Sequence, residues 1–386
     1  MTYYQKEEAK RPQIGKFFGF DHLRFYVSNA KQAASFYCAR MGFNPVAFQG
    51  LETGNRDYST HVVRVKNITL LFTAPLNPSE ETVNRHIMHH GDGVRDVAFT
   101  VDDARGIYEK AISRGARSVK EPEVLTDEDG TVVLASVATY GDTIHTFVQR
   151  SDYRGVFLPG FKAVTKPEPL NAHYPPVEFE FIDHLVGNQP TGDLAPTAEW
   201  YEHMLDFHRY WSVDDSQIFT EYSALKSIVV ADWDEVIKMP LNEPAKALRK
   251  SQIQEYVEYY GGAGVQHIAF LTNDILATVG QLRARGVDFL PVPPSYYEHL
   301  EKRLAASPVH VVEDMARIRD LNILVDFDDG GYLLQIFTRP VEDRPTLFYE
   351  VIQRRNNNGF GIGNFKALFE ALEYEQQRRG NLTSEA

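Results

Sequence analysis

The 386-residue sequence is poor in three features that mark common classes of protein. A single cysteine, Cys38, excludes internal disulfides and any zinc site built on paired thiolates. The sequence also lacks a run of about 18 apolar residues and begins with a polar segment, so it predicts neither a membrane-spanning helix nor a secretory signal. Basic residues are not clustered, and 40 lysines and arginines against 53 aspartates and glutamates give a formal net charge of −13. We therefore expect a soluble cytoplasmic protein that binds neither nucleic acid nor membrane.

The composition that remains is typical of a globular protein with a large core. Hydrophobic residues make up 43% of the chain and aromatic residues 12%. At roughly 100 to 200 residues per domain, the length predicts two domains. Four prolines between positions 162 and 177 favour an extended linker. We therefore predict an N-terminal domain at 14–161, a linker at 162–177 and a C-terminal domain at 178–386.

The two predicted domains repeat one plan. Three pairs of segments match in sequence: 20–23 with 182–185, 93–99 with 264–270, and 146–150 with 350–354. After each of the middle pair, a helical pattern ends in Arg-Gly, 19 residues beyond Asp96 and His267. Each half therefore contains two modules in which a strand leads into a helix and further strands. This pattern predicts an α+β fold with two domains, each made of paired βαβββ modules with mixed sheets.

Each pair of matched segments has one position with a possible metal ligand in the second half, and two of these three positions differ in chemical type in the first half. These positions hold His184, His267 and Glu350 in the second half. Their counterparts in the first half are His22, Asp96 and Thr146. Two imidazoles and one carboxylate are the ligand set of a facial non-haem Fe(II) site, whereas histidine, aspartate and threonine bind this ion poorly. We therefore predict one metal site, in the second half, with a first half that lacks one.

Two other motifs resemble functional sites but are interpreted as structural. The cluster His86, His89 and His90 lacks the glutamate of the zinc-protease pattern and precedes a Gly-Asp-Gly turn, so we interpret it as an exposed helix end. The glycine-rich segment 359–363 has no βαβ context and is interpreted as a flexible approach to a final helix, at about 365–378. The apolar residues of that helix share one face, which predicts a lid packed over the second domain.

Seven short motifs of the second half occur in a fixed order. They are DHLVGN at 183–188, PLNEP at 240–244, RKSQIQ at 249–254, GAGVQH at 262–267, LQIF at 334–337, FYEVIQR at 348–354 and GFGIGNF at 359–365. With them the sequence resembles the 4-hydroxyphenylpyruvate dioxygenase family, in its eukaryotic form, over about 19–382. That family belongs to the vicinal-oxygen-chelate superfamily, which includes glyoxalase and bleomycin-resistance proteins.

The resemblance implies a reaction and a set of site residues. The implied iron ligands are His184, His267 and Glu350, one Fe(II) per chain. The implied substrate pocket contains Ser227, Asn242, Gln252, Gln266, Gln335, Phe337, Phe348, Phe360, Asn364 and Phe365. The family converts 4-hydroxyphenylpyruvate and O₂ to homogentisate and CO₂ in tyrosine and phenylalanine catabolism, and its eukaryotic members are expected to be homodimers.

The residues suggest roles within that pocket and leave two alternatives open. Phe337 and Phe365 suit an aromatic ring, and Ser227, Asn242 and Gln252 could bind a phenol hydroxyl. Gln266 and Gln335 could orient the ligands or the keto oxygen. An enzyme with the same substrate and metal that forms 4-hydroxymandelate is one alternative. A metal-free binding protein is the other, and Glu350, whose counterpart is Thr146, argues against it.

Overall fold

The structure is a computed structural model, and it describes residues 2–6, 11–13, 15–150, 152–213, 224–246 and 248–383. Within this part of the chain the strands form two mixed sheets of nine strands each. The first sheet contains β2 (Phe17–Tyr26), β3 (Asn44–Gln49), β4 (Tyr58–Val65), β5 (Ile68–Pro75), β6 (Gly93–Val101), β7 (Ser118–Asp127), β8 (Gly130–Ala138), β9 (Ile144–Gln149) and β10 (Lys162–Ala163). The second contains β1 (Thr2–Tyr3), β11 (Phe179–Asn188), β12 (His208–Val213), β13 (Ala224–Ala231), β14 (Lys238–Ala245), β15 (Gly264–Thr272), β16 (Leu324–Asp328), β17 (Gly331–Phe337) and β18 (Phe348–Arg355).

Among the described residues, three helices of each half occupy corresponding places between the strands, and three further helices occur only in the second half. The helices are α1 (Ala30–Met41), α2 (Glu81–His90), α3 (Ala104–Ser113), α4 (Leu194–Leu205), α5 (Gln252–Tyr260), α6 (Ile275–Ala284), α7 (Pro294–Ala305), α8 (Met315–Asp320) and α9 (Ile362–Arg379), with short 3₁₀ turns at Leu51–Thr53 and Pro169–Ala172. Local chemistry explains several of the ends. Asn29, Asp103 and Ser251 cap α1, α3 and α5 by accepting a backbone N–H in the first turn. Among the described helices, none is long and apolar enough to cross a membrane.

The two sheets have the same strand order. The order β10-β3-β4-β5-β2-β6-β9-β8-β7 in the first corresponds, strand by strand, to β1-β12-β13-β14-β11-β15-β18-β17-β16 in the second. The parallel pairs β2–β5 and β6–β9 recur as β11–β14 and β15–β18. Register repeats too, because His22 lies opposite Ala98 and His184 lies opposite Ala269. This arrangement confirms the predicted α+β fold of two paired-module halves.

One large core lies between the two sheets, and each sheet has a second, smaller core on its other face. The large core contains residues of both sheets and of α1, α3, α4 and α6. In the first half the smaller core is filled by Phe157 and Leu158, which follow β9 and pack against the inner face of the sheet. In the second half the corresponding face is covered by α9, and a cavity remains beneath this helix.

Two of the three histidines at the end of α2 are buried, so the expectation of an exposed helix end is wrong for these two. His86 and His90 are 5% and 3% exposed. The Nδ1 atom of His90 lies 2.6 Å from the carbonyl oxygen of Tyr260, which belongs to the second half. Burial lowers the pKa of His86 to about 3. The helix end is buried because it packs against the other half of the chain, and the local sequence pattern does not reveal that contact.

Candidate metal centre

Three side chains of neighbouring strands in the second sheet converge on one point. His184 lies on β11, His267 on β15 and Glu350 on β18, and all three are buried. The Oε2 atom of Glu350 lies 3.2 Å from Nε2 of His184 and 3.5 Å from Nε2 of His267. Among the described residues, this is the one group of three or more histidine, cysteine, aspartate or glutamate side chains whose ligand atoms lie within 4.8 Å of one another.

Strand register explains this convergence. His184 and Glu350 both lie opposite Ala269, one on each side of β15, so the three residues form a row across the sheet. Side chains two residues apart on a strand point to the same face, which puts His267 beside this row. The small side chain of Ala269 leaves room between the two outer residues of the row. The convergence of the three side chains therefore follows from the alternation of residues on three strands of one sheet.

A β-bulge aims a second residue at the same cavity. The register between β11 and β15 shifts between Val186, which lies opposite His267, and Gly187, which lies opposite Val265. The extra residue is Gln266, and both Gln266 and His267 line the cavity. Bulges next to functional sites commonly redirect a side chain in this way. The first sheet has the same shift, between Arg24 and Phe25.

Hydrogen bonds fix the orientation of both imidazoles. The Nδ1 atom of His184 lies 2.7 Å from Oδ1 of Asp183, and Nδ1 of His267 lies 3.1 Å from Oε1 of Gln266. The amide of Gln266 in turn donates to Oε1 of Gln252. Because an imidazole that donates from Nδ1 has its lone pair on Nε2, each ring directs that lone pair towards Glu350.

The electrostatics of the group suit a cation. Burial raises the pKa of Glu350, but the two imidazoles outweigh burial and hold it below its usual range. Burial lowers the pKa of His184, but Glu350 and Asp183 outweigh burial and raise it to about 8. Burial lowers the pKa of His267. An ionised carboxylate with two inward-facing imidazoles, all shielded from water, is a donor set that fits a divalent first-row metal ion.

The cavity extends from the three ligand atoms towards α9. Eight of the ten predicted pocket residues line it, and Ser227 and Asn242 lie opposite each other on β13 and β14. These eight are Ser227, Asn242, Gln252, Gln266, Phe337, Phe348, Phe360 and Phe365. The structure therefore brings most of the predicted pocket together at one end of the second sheet.

Two of the predicted pocket residues lie outside this lining. The amide of Gln335 lies against Gly361, where a side chain would collide with it. The Oδ1 atom of Asn364 accepts a hydrogen bond from the hydroxyl of Tyr296, at 2.7 Å. Both residues are buried, and the structure places them at the base of α9.

The apolar part of the lining and the hydrogen-bond partner of His184 are not among the residues predicted from the sequence. The additional lining residues are Val186, Trp211, Leu225, Val229, Pro240, Leu368 and Phe369. Strand and helix periodicity would have predicted most of them. Residues 186, 225, 229 and 240 are each two positions from a predicted site residue on a strand, and 368 and 369 lie one helical turn beyond Phe365. Asp183 and its partner Arg354 also stand in the repeated segments.

Phenylalanine rings enclose the two histidines. The ring of Phe348 stacks on His267 with centroids 4.8 Å apart, and Phe337 meets the same imidazole edge to face at 6.0 Å. Phe360 meets His184 edge to face at 5.2 Å. These contacts restrict rotation of the imidazoles and keep the ligand end of the cavity apolar.

The corresponding position in the first half is closed. The Oδ2 atom of Asp96 accepts a hydrogen bond from Thr146 Oγ1 at 2.5 Å, and its Oδ1 accepts the backbone N–H of the same residue at 3.1 Å. Phe157 meets His22 edge to face at 5.2 Å, just as Phe360 meets His184. The residues that replace the ligands therefore satisfy one another.

Comparison with known proteins relates both halves to one group of enzymes. The family described as "Hydroxyphenylpyruvate dioxygenase, HPPD, N-terminal" matches residues 13–158, and the Glyoxalase/Bleomycin resistance protein/Dioxygenase superfamily matches 181–336. The 4-hydroxyphenylpyruvate dioxygenase of Tetrahymena thermophila is 56% identical over 386 residues, which cover 99% of this chain and 96% of the relative. The enzyme of the same name from Danio rerio is 54% identical over 384 residues, with 99% and 96% covered.

A solved structure is similar over nearly the same length. It is a mutant of 4-hydroxymandelate synthase from Streptomyces coelicolor, with a TM-score of 0.80 and 33% identity, and the match covers 93% of this chain and 99% of that one. The similarity in fold therefore extends over both halves and includes the region of the candidate metal centre.

Proposed function

Because the chain belongs to the 4-hydroxyphenylpyruvate dioxygenase family, we propose that it converts 4-hydroxyphenylpyruvate and O₂ to homogentisate and CO₂, a step of tyrosine and phenylalanine catabolism. The observation that carries the proposal is the buried convergence of His184, His267 and Glu350 at one end of an aromatic cavity. The reaction combines oxidative decarboxylation, ring hydroxylation and migration of the side chain, and both atoms of O₂ enter the one product.

We propose Fe(II) as the ion, one per chain, held by His184, His267 and Glu350. When bound, the ion would supply redox chemistry for O₂ and open positions for a 2-oxo acid. A divalent cation beside one carboxylate has a local charge of about +1, which complements the single carboxylate of the substrate. The donor types support this assignment, since imidazole and carboxylate are the ligands of facial non-haem iron sites.

The apolar walls of the cavity would hold the ring of the substrate and exclude water. Phe337 and Phe365 line the cavity from β17 and α9, so an aromatic ring between them would meet a phenylalanine from each. Each such contact contributes about 0.5 to 1.5 kcal/mol beyond the burial of area. Exclusion of water protects a reactive intermediate from side reactions, which is the part of the chemistry that the protein itself supplies.

The polar residues of the lining would recognise the phenol. Ser227 and Asn242 are neighbours across two strands, and Gln252 contributes a third neutral group. A substrate without the hydroxyl would leave some of these buried groups unpaired, at a cost of about 1 to 3 kcal/mol each. Gln266 lies between Gln252 and His267, so it would couple the polar lining to the ligand end.

Several proposals concern the whole chain. We propose the domain division 14–161, 162–177 and 178–386, with the metal in the last part. The start of β11 at Phe179 supports the second boundary, whereas β10 extends the first sheet two residues into the proposed linker. We propose that α9 acts as the lid of the cavity and that the protein is a cytoplasmic homodimer, as expected for the eukaryotic family.

Identification of the product tests the proposed reaction. Purified protein with Fe(II), O₂ and 4-hydroxyphenylpyruvate should release one CO₂ and form homogentisate. The similarity to a 4-hydroxymandelate synthase makes 4-hydroxymandelate the competing product. The two products are isomers, so they must be separated by chromatography before tandem mass spectrometry. Formation of 4-hydroxymandelate, or no uptake of O₂ at all, would contradict the proposal.

A further inference from the structure

An ion pair lies behind His184, on the side away from the cavity. Oδ1 of Asp183 lies 2.7 Å from Nδ1 of His184, and both of its carboxylate oxygens accept hydrogen bonds from Arg354, at 2.8 Å from Nε and 2.7 Å from Nη2. The two side chains are 9% and 16% exposed, and they line a surface cleft. The carboxylate of Asp183 is therefore fixed by two bonds to a rigid, planar cation before it reaches the imidazole.

Arg354 also holds the segment that leads into α9. Its Nη1 atom donates to the carbonyl oxygens of Asn357 and Gly359, at 3.1 and 2.6 Å. The guanidinium lies over the ring of Phe360 at 5.8 Å, and that ring meets the edge of His184. These contacts thus form a closed ring through His184, Asp183, Arg354 and Phe360, in which each side chain restrains the next.

The first half contains a copy of this ring. Asp21 lies 2.7 Å from Nδ1 of His22 and accepts from Nε and Nη2 of Arg150, at 2.9 and 2.7 Å. Arg150 donates to the carbonyl oxygen of Phe157, and the ring of Phe157 meets His22. The copy has the same contacts but stands beside Thr146 instead of a carboxylate ligand.

We propose that Asp183 and Arg354 are positioning residues for the metal, because they hold the proton of His184 on Nδ1 and direct the Nε2 lone pair towards Glu350. The inference rests on the proposed function, since it needs His184 to be a ligand. In the first half the same arrangement stabilises the fold only. Partners of this kind change metal affinity by about 10- to 100-fold when they are removed.

The duplicated arrangement supplies a matched control. Asp183→Asn and Asp21→Asn make the same change beside a ligand and beside its counterpart, and His184→Ala removes the ligand itself. Fe(II) affinity is measured without oxygen by competition with a chromophoric chelator, and thermal unfolding is recorded for each variant. If Asp183→Asn does not fold, Asp183→Glu with Asp21→Glu replaces the pair, because glutamate keeps the charge but displaces the carboxylate.

The expected result separates positioning from stability. Asp183→Asn should bind Fe(II) about 10- to 100-fold more weakly, Asp21→Asn should stay within about twofold of the parent protein, and both should unfold at lower temperature. Parent-like affinity in Asp183→Asn, or an equal loss in Asp21→Asn, would overturn the inference while leaving the ligand assignment intact. Unchanged binding in His184→Ala would overturn the ligand assignment, and the inference with it.

Discussion

At the scale of single residues, Ser227 is the simplest test of how the cavity recognises its substrate. Ser227 is 4% exposed and lines the cavity beside Asn242. In Ser227→Ala we expect kcat/KM for 4-hydroxyphenylpyruvate to fall about 5- to 100-fold, since a buried partner of the phenol is lost. For phenylpyruvate, which has no phenol, kcat/KM should change less than about threefold.

Steady-state kinetics with both keto acids measure this difference. Ser136→Ala is the matched control, because Ser136 is a buried serine of the first half whose hydroxyl bonds Thr146 at 2.7 Å. An equal loss on both substrates would mean that Ser227 supports the fold rather than the recognition of the phenol.

His145 makes stability depend on pH. It is fully buried, its Nε2 lies 2.7 Å from the hydroxyl of Tyr201, and burial lowers its pKa to about 4. Above pH 6.5 the ring is neutral in both the folded and the unfolded chain. Below pH 6.5 the unfolded chain takes up a proton that the folded chain refuses until about pH 4, so stability falls through this window. We expect His145 to account for about 2 kcal/mol of lost stability between pH 7 and pH 5.

Urea denaturation at pH 7 and pH 5 measures this contribution. In His145→Asn the decrease between the two pH values should be smaller than in the parent protein by about 2 kcal/mol, whatever the change in absolute stability. His203→Gln, a change of an exposed histidine, should keep the parent's decrease. A decrease in His145→Asn equal to that of the parent would rule out this assignment.

The residues of the site differ in how visible they are in the sequence. Comparison of the halves position by position singles out His267 and Glu350, which differ from Asp96 and Thr146, whereas His184 matches His22 and is found only together with them. Asp183 and Arg354 stand in the same repeat but are identical in type to Asp21 and Arg150, so a search for differences between the halves passes over them. The position of Gln335 outside the cavity lining could not be predicted from the sequence, because its contact with Gly361 depends on the path of a loop that is distant in the sequence.

At the scale of elements, α9 is both part of the core and part of the cavity wall. Leu368 is 6% exposed and lines the cavity, whereas the side chain of Lys366 is 74% exposed. We expect Leu368→Ala to lower the free energy of unfolding by about 2 to 5 kcal/mol and to raise KM, because it leaves a void next to the cavity. Lys366→Ala should change neither.

Denaturant unfolding and steady-state kinetics of the two variants check this expectation. Parent-like stability and KM in Leu368→Ala would mean that the helix only lies near the cavity without closing it.

The boundary of α9 shows what a local pattern misses. The sequence predicts a start at about Phe365, and the helix begins at Ile362. Gly361 ends the preceding loop in the left-handed conformation, with a φ of 73°, and this fixes the first turn rather than loosening it. The expected flexibility of the glycines at 359–363 stays a prediction, while the predicted apolar face of the helix is confirmed by its burial.

At the scale of the whole molecule, the two halves share a plan, but among the described residues their interiors are filled differently, and the second half has a cavity beneath α9. Phe157 and Leu158 fill the first half, and they belong to a segment outside the three sequence matches, so the repeat could not reveal the filling. We therefore expect that Asp96→His with Thr146→Glu, which copies the ligand set, does not create a second metal site. Metal analysis after Fe(II) loading should still give one ion per chain.

A second equivalent of iron in that double variant would show that the ligands alone determine where metal binds. The same result would contradict the view that the filled interior keeps the first half free of metal.

We expect His184, and not its counterpart His22, to hold the ion that supports oxygen chemistry. The most direct measurement is an anaerobic Fe(II) titration of the parent protein, His184→Ala and His22→Ala, followed by O₂ uptake on addition of 4-hydroxyphenylpyruvate. We expect one tightly bound iron and O₂ uptake in the parent protein and in His22→Ala, and neither in His184→Ala. Iron binding and O₂ uptake in His184→Ala at the level of the parent would contradict this expectation.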